Sequence, residues 1–349
     1  MRANKIRKDG FTFSDLSIIP RIPKIHYQDA GVQSQLTPKI LLKKPFISSP
    51  MDTVTNANTA ISLAKNGAVG ILHYNFPSFQ ALYQEIIKVK EYDEFDETTA
   101  TCLGKKLVVG LLVKLDFAII NDLEKLIDAG ADFVALDSLH SNPHLHIPFI
   151  KRLKTFFPDL EIMSGNIVHP DDCLRLIDSG VQCLRVGFNA ASINDGKSLF
   201  GCGRSQANAV FECAKIGRKY NIPIIADGGL KTSGDIAIAF ALGANFVMLG
   251  RMFAASYDTP GNIIVDGNHK KKLYTGMSRA DTIDSETVAE GRELYLNADE
   301  SIVDILNRLD RNLKISIARS GCISIEDFYR NSEIQMLTQS AIEETKVKG

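Results

Sequence analysis

Two short stretches in the last third of the 349-residue chain have the composition of an anion cradle. Ala226-Asp227-Gly228-Gly229 runs into Thr232-Ser233-Gly234, and Leu249-Gly250-Arg251 follows. Glycine lets backbone N–H groups approach a phosphate closely, and a helix start favours negative charge. Asp227 reads either as a helix cap or as an acceptor pair for a ribose diol. Arg251 reads either as a bidentate phosphate contact or as a residue that shrinks or redirects the pocket. His140, His144 and His146 have a spacing that metal sites use, but no carboxylate or cysteine accompanies them, so they read as a solvated loop or a cofactor contact. His73 reads as a satisfied strand-end histidine, with acid–base work as the alternative. The six cysteines (102, 173, 183, 202, 213, 322) contain no CxxC pair and read as reduced thiols of a cytoplasmic protein. The basic run Asn268-His269-Lys270-Lys271-Lys272 reads as a solvated turn.

These residues need a frame to bring them together. A helix-like stretch ending in glycine, then an apolar run, recurs at Gly67, Gly130, Gly180 and Gly243. Eight apolar runs follow the pattern of strands buried on both faces: Phe46–Met51, Ala68–His73, Leu107–Val113, Phe133–Asp137, Glu161–Asn166, Cys183–Gly187, Pro223–Asp227 and Phe246–Gly250. Helical periods lie between them at Asp116–Ala129, Pro170–Ser179, Arg204–Tyr220 and Ser233–Leu242. Alternation of strand and helix implies parallel strands, and eight units predict a single α/β (β/α)8 TIM barrel, with an open doubly wound sheet as the alternative. The polar and glycine residues then gather at the carboxyl ends of the strands, the face where barrels of this kind do chemistry.

Composition narrows the function classes. With 45% hydrophobic and 23% charged residues the chain is globular, and a net charge of −1 gives it no global attraction to nucleic acid or an anionic membrane. No apolar stretch is long enough to span a bilayer, and the basic N-terminus has no apolar segment behind it to make a signal peptide. The expected organisation is one barrel domain over 1–349, with an irregular segment over about 1–45 and a flap and helical tail over about 276–349.

Several segments together resemble the IMP dehydrogenase/GMP reductase family: Ile47-Ser48-Ser49-Pro50-Met51-Asp52-Thr53-Val54-Thr55, Gly165-Asn166-Ile167-Val168, Gly201-Cys202-Gly203-Arg204-Ser205-Gln206, Ile225-Ala226-Asp227-Gly228-Gly229 and Tyr274-Thr275-Gly276-Met277-Ser278. The likeness runs from about Phe11 to Tyr329. The family's paired CBS insert would fall between Tyr92 and Leu107, where only a short polar link stands. The resemblance implies a site for a purine nucleoside 5′-monophosphate. Ser192, Gly228, Gly229, Gly250 and Tyr274 would hold the phosphate, Asp227 the ribose hydroxyls, and Ser49 and Met51 the pocket wall. Met277 and Ser278 would lie along the base, with Gly276 beside them, and Glu290 would face the purine edge. Asn166 and Arg185 would support the reacting end of the base. Asp137, with Ser138, would contact a nicotinamide cofactor, NAD(P). Arg251 replaces a small residue common in the family's phosphate loop. A homotetramer is implied as well.

The resemblance breaks where the family's reaction begins. Its nucleophilic cysteine, two residues past the phosphate-binding serine, corresponds here to Asn194. An amide does not ionise near neutral pH and is a poor nucleophile. Gly196 replaces the family's threonine, and Asn189 and Ala191 replace glycines around a monovalent cation, so no cation site is expected. Cys202, eight residues on, reads as a packing residue. Ten residues separate Met277 from Val288, where the dehydrogenases carry a long mobile flap. The expectation is a divergent NAD(P)-linked oxidoreductase without the covalent step, with Asn194, Asp195 and Glu290 as its chemical groups. The alternatives are a non-catalytic nucleotide-binding or sensing protein, or a non-redox enzyme on a purine nucleotide.

Overall fold

The computed structural model describes residues 10–137, 143–188, 196–267, 269–276 and 292–344. Eight parallel strands close into a barrel. In chain order they are β1 (Phe46–Ser48), β2 (Val69–Leu72), β3 (Val109–Lys114), β4 (Phe133–Asp137), β5 (Glu161–Ile167), β6 (Cys183–Val186), β7 (Ile224–Asp227) and β8 (Phe246–Leu249). Each pairs with the next, and β8 returns to β1 through Val247↔Phe46, Met248↔Ile47 and Leu249↔Ser48. This settles the topology in favour of the closed barrel. The strands are apolar on both faces because both are buried. Ile47, Val69, Ile71, Leu112, Phe133, Met163, Ile225, Phe246 and Met248 fill the interior, while their neighbours in sequence meet the helices.

The helices are α1 (Ala57–Lys65), α2 (Phe79–Glu91), α3 (Ile120–Asp128), α4 (Pro143–Phe156), α5 (Pro170–Asp178), α6 (Gln206–Tyr220), α7 (Ser233–Ala241) and α8 (Ile302–Arg319). Several of their starts carry side-chain caps: Asn56 accepts from Thr59 N–H at 3.0 Å and Ser301 from Asp304 N–H at 3.1 Å. Gly67, Gly130, Gly180 and Gly243 all take positive φ, as the recurring helix-end signal requires.

Two additions complete the barrel. A hairpin, Ser34–Gln35 against Leu41–Leu42, places Leu36, Ile40 and Leu42 in the interior cluster at the amino ends of the strands. The Glu161 carboxylate, at the start of β5, fixes it by accepting from the Thr37 hydroxyl and from Lys39 N–H at 3.1 Å. At the opposite end an antiparallel arm follows β8: β9 (Ile263–Asp266), β10 (His269–Thr275) and β11 (Glu293–Asn297). Leu16–Ile18 pairs antiparallel with Ile334–Met336, joining the two ends of the described chain. None of the described helices is long and apolar enough to cross a membrane.

Candidate active site

The carboxyl ends of β1, β5, β6, β7 and β8 carry Ser49, Met51, Asn166, Arg185, Asp227, Gly228, Gly229, Gly250 and Arg251. Asp227 ends β7, and its Oδ2 accepts from Asn166 Nδ2 at 2.8 Å, Arg185 Nη2 at 2.9 Å and Arg185 Nε at 3.2 Å. Arg185 lies inside β6, a strand otherwise buried and apolar, and Asp227 is the carboxylate that balances its charge there. The remaining Arg185 nitrogen, Nη1, is buried with no hydrogen-bond partner. Asn166 and Arg185, the residues expected to brace the base, both donate to Asp227, the ribose candidate. One Asp227 oxygen thereby takes three donor nitrogens.

Gly228 and Gly229 follow with φ of 84° and 75°, two successive left-handed positions that only glycine adopts at low cost. Among the described residues no hydrogen bond engages the N–H of either one. The start of α7 contributes less than its sequence suggests. Thr232 Oγ1 accepts from Asp235 N–H at 3.1 Å, and the Asp235 carboxylate accepts from Lys231 and Thr232 N–H at 2.8 and 2.9 Å. This capping box already sets a negative charge against the positive helix end. The backbone N–H groups left uncommitted here are those of the glycine pair.

Ser49, Met51, Gly250 and Tyr274 share one small space. A Cβ at Gly250 would stand 2.5 Å from the Tyr274 hydroxyl, 3.3 Å from Ser49 Oγ and 3.4 Å from Met51 Sδ. Ser49 N–H donates to the Leu249 carbonyl at 3.1 Å, tying the ends of β1 and β8. The arm delivers Tyr274, and Thr275 locks it to the β1 loop through Thr53 Oγ1 and Asp52 Oδ1, each at 3.4 Å. Burial holds the Tyr274 phenol above its ordinary range; nearby Asp227 pushes it the same way, and Arg251 opposes. The hydroxyl is neutral at pH 7 and can donate. Arg251 itself is exposed at the head of the short helix Arg251–Ala254.

Two residues that sequence reasoning missed hold this arrangement. Gln206 Nε2 donates to the carbonyls of Val186 at 2.7 Å and Asp227 at 3.1 Å, stitching β6 to β7. Lys272, two residues before Tyr274 on the same face of β10, is 1% exposed. Its ammonium donates to the Ser256 carbonyl at 3.0 Å, to Thr259 Oγ1 at 2.7 Å and to the Thr259 carbonyl. The solvated-turn reading therefore fails at Lys272. Strand alternation, which puts it on the face of Tyr274, was the available signal. Burial lowers its pKa to about 8, with Asp258 pulling the other way, so it is charged at pH 7.

The histidines resolve differently. His73 is buried, stacks on Phe76 at 4.2 Å and accepts from Asn75 N–H at 3.0 Å. Burial lowers its pKa to about 4 despite Asp52, so it is neutral at pH 7. This matches the satisfied strand-end reading. His146 does not lie in a solvated loop. It belongs to α4, is fully buried and sits 2.7 Å from Ser164 Oγ on the outer side of β5. Proline 148 inside that helix hid its period. Cys202 is exposed and so is not a packing residue.

Ser138, His140, Ser192, Asn194, Asp195, Met277, Ser278 and Glu290 lie outside the described residues, as do the side chains of Asp137 and His144. The backbone of Asp137 ends β4 at the same face, opposite Lys114 of β3. Gly276 N–H donates to the Arg292 carbonyl at 3.0 Å, pinning together the two ends of the segment that contains Met277, Ser278 and Glu290.

Comparison with known proteins gives one consistent result. The family model described as IMP dehydrogenase / GMP reductase domain matches residues 10–348. The chain is 33% identical to the inosine-5′-monophosphate dehydrogenase of Borreliella burgdorferi, over 98% of this chain and 97% of that protein. It is 28% identical to the enzyme of the same name from Cryptosporidium parvum, over 97% and 94%. These alignments run to 395 and 380 residues, longer than the chain itself, so each relative carries stretches with no counterpart here.

Proposed function

The chain belongs to the IMP dehydrogenase/GMP reductase family, and from that premise we propose that it binds a purine nucleoside 5′-monophosphate and acts on it as an NAD(P)-linked oxidoreductase that forms no covalent cysteine adduct. The observation that carries the binding half is the Asn166–Arg185–Asp227 cluster beside the Gly228–Gly229 turn and the Ser49–Met51–Gly250–Tyr274 space. It supplies a ribose acceptor, unengaged backbone donors and a neutral phenol donor on adjacent strand ends. Gly276, Met277 and Ser278 continue the wall toward the base, and Ser192 adds a hydroxyl to the phosphate. The residues present suit a nicotinamide cofactor: the buried, unpartnered Arg185 Nη1 and the strand-end Asp137, with Ser138, are the donor and acceptor types that its carboxamide and ribose require. Such a cofactor supplies the hydride acceptor or donor.

The identity of residue 194 carries the mechanistic half. Asn194 offers its amide to a ring or exocyclic atom of the base, and Asp195 or Glu290 moves the proton. General acid–base help of this kind is worth roughly 10²–10⁴-fold in rate. We assign the protein to the cytoplasm as a homotetramer. We infer a single domain without a CBS insert from the short Tyr92–Leu107 link, and no monovalent cation site from Asn189 and Ala191.

The test is calorimetric titration with purine nucleosides and their 5′-monophosphates, with and without NAD(P)H, followed by product analysis. The monophosphate is expected to bind at least about tenfold more tightly than the nucleoside, since charged hydrogen bonds contribute about 1.5–3 kcal/mol each. Equal affinities overturn the binding half. Efficient conversion of IMP to XMP, or of GMP to IMP, overturns the altered mechanism. Tight nucleotide binding with no turnover of any cofactor pair moves the protein to the sensing role.

A further inference from the structure

We propose that Arg251 makes the phosphate end of this site selective for a dianion, so that a 5′-phosphate monoester is taken and a singly charged phosphodiester is refused; this deepens the nucleotide-binding reading and rests on it. Several charged groups around the mouth are already committed. The Asp227 carboxylate is matched by Arg185 through two nitrogens on one oxygen. Asp235 is committed to the N–H groups of Lys231 and Thr232. Asp258, seven residues after Arg251, accepts from the Ser256 hydroxyl and from Ile302 N–H at 2.9 Å. Tyr274 is neutral, being buried. Among the described residues the Arg251 guanidinium has no ion pair, whereas Arg185 has one.

Position makes that charge useful. Arg251 directly follows Gly250, whose missing Cβ leaves the space bounded by the Tyr274 hydroxyl, Ser49 Oγ and Met51 Sδ. Its charge is felt at that same phenol. Arg251 thus adjoins, through the backbone of Gly250, the volume that the phenol borders, next to the strand end that bears the Gly228–Gly229 turn. Backbone N–H groups and a phenol complement an anion of either charge. A guanidinium adds two parallel charge-assisted bonds to a terminal group with three free oxygens, and it gains most when two charges reside there. Phosphate monoesters lose their second proton near pH 6, so at pH 7 the monoester is the dianion, whereas a diester keeps a single charge.

The test compares inosine 5′-monophosphate, its 5′-phosphate methyl ester and inosine by titration calorimetry at pH 7. The proteins are the full chain, Arg251→Gln and Arg251→Lys. Arg251 is exposed, so the variants should melt as the parent does. The parent should prefer the monophosphate to the methyl ester by at least tenfold. Arg251→Gln should lose about 10- to 100-fold on the monophosphate and less than about threefold on the ester, and Arg251→Lys should recover part of the difference. An unchanged monophosphate-to-ester ratio in Arg251→Gln overturns the assignment of Arg251 and leaves the nucleotide site standing. If the parent binds inosine as well as its monophosphate, the nucleotide reading fails, and the proposal with it.

Discussion

At the scale of single residues, the cluster around Asp227 is the most constrained part of the mouth. Arg185 and Asp227 keep only 10% and 16% of their side-chain surface exposed, so either partner alone is a poorly solvated charge. Removing one member of such a pair costs about 3–5 kcal/mol. Arg185→Ala is therefore expected to lower unfolding stability by that order, read by denaturant titration. Arg185→Lys cannot place two nitrogens on Oδ2 and should recover only part of it. Asp227→Asn leaves the arginine in place but unpaired and should lose both stability and discrimination between ribo- and 2′-deoxyribonucleotides. Loss of stability without loss of that discrimination would remove Asp227 from the ribose site.

Elements explain how the mouth is held open in one shape. The arm β9–β11 reaches the barrel rim through Tyr274 and Thr275, and the Lys272 ammonium fixes it from below. Lys272→Met preserves length and apolar volume but leaves the Ser256 and Thr259 carbonyls without their donor. Each unsatisfied buried acceptor costs about 1–3 kcal/mol. The variant should be less stable and should bind nucleotide monophosphate more weakly, because Tyr274 shares the displaced strand. Unaltered affinity in a destabilised Lys272→Met protein would confine this lysine to the fold.

Much of this was readable in advance. All eight apolar runs became barrel strands, and Phe133–Asp137 kept both its ends. Four others stop short of Met51, His73, Gly187 and Gly250, β3 and β5 run one residue past their expected ends, and β7 ends at Asp227 as expected. The hairpin Ser34–Leu42 was not readable, since its strands are two residues long and exist only against the barrel interior. At the site, residue types were legible and partners were not. An arginine inside the buried strand Cys183–Val186 must have a counter-charge, but that it meets Asp227, forty-two positions away, follows only from β6 lying beside β7.

At the scale of the whole molecule, the two buried histidines set its response to acid. His73 near the mouth and His146 in the helix layer both have pKa values lowered by burial to about 4, against an ordinary 6.5. Between pH 6.5 and 4 the unfolded chain takes up protons that the native state refuses. Stability therefore falls as pH drops through that window, by on the order of 3 kcal/mol per histidine at pH 4. Domains are stable by only about 5–15 kcal/mol, so the pair accounts for a large share. His146→Leu should cost about 1–3 kcal/mol at pH 7, where Ser164 Oγ loses its partner, yet lose less stability than the parent from pH 6.5 to 4. Parallel pH curves for the two proteins would mean that His146 titrates normally.

The pairing of Leu16–Ile18 with Ile334–Met336 also decides how the molecule yields to tension. The strands are antiparallel with Leu16 opposite Met336, so the chain enters one and leaves the other at the same edge. A pull on the two termini loads the hydrogen bonds in succession, as in a zipper, and does not shear them together. The fastening peels before force reaches the barrel. Strain on the ends, whether from a tether or from a protease drawing in a tail, is spent first on this clasp.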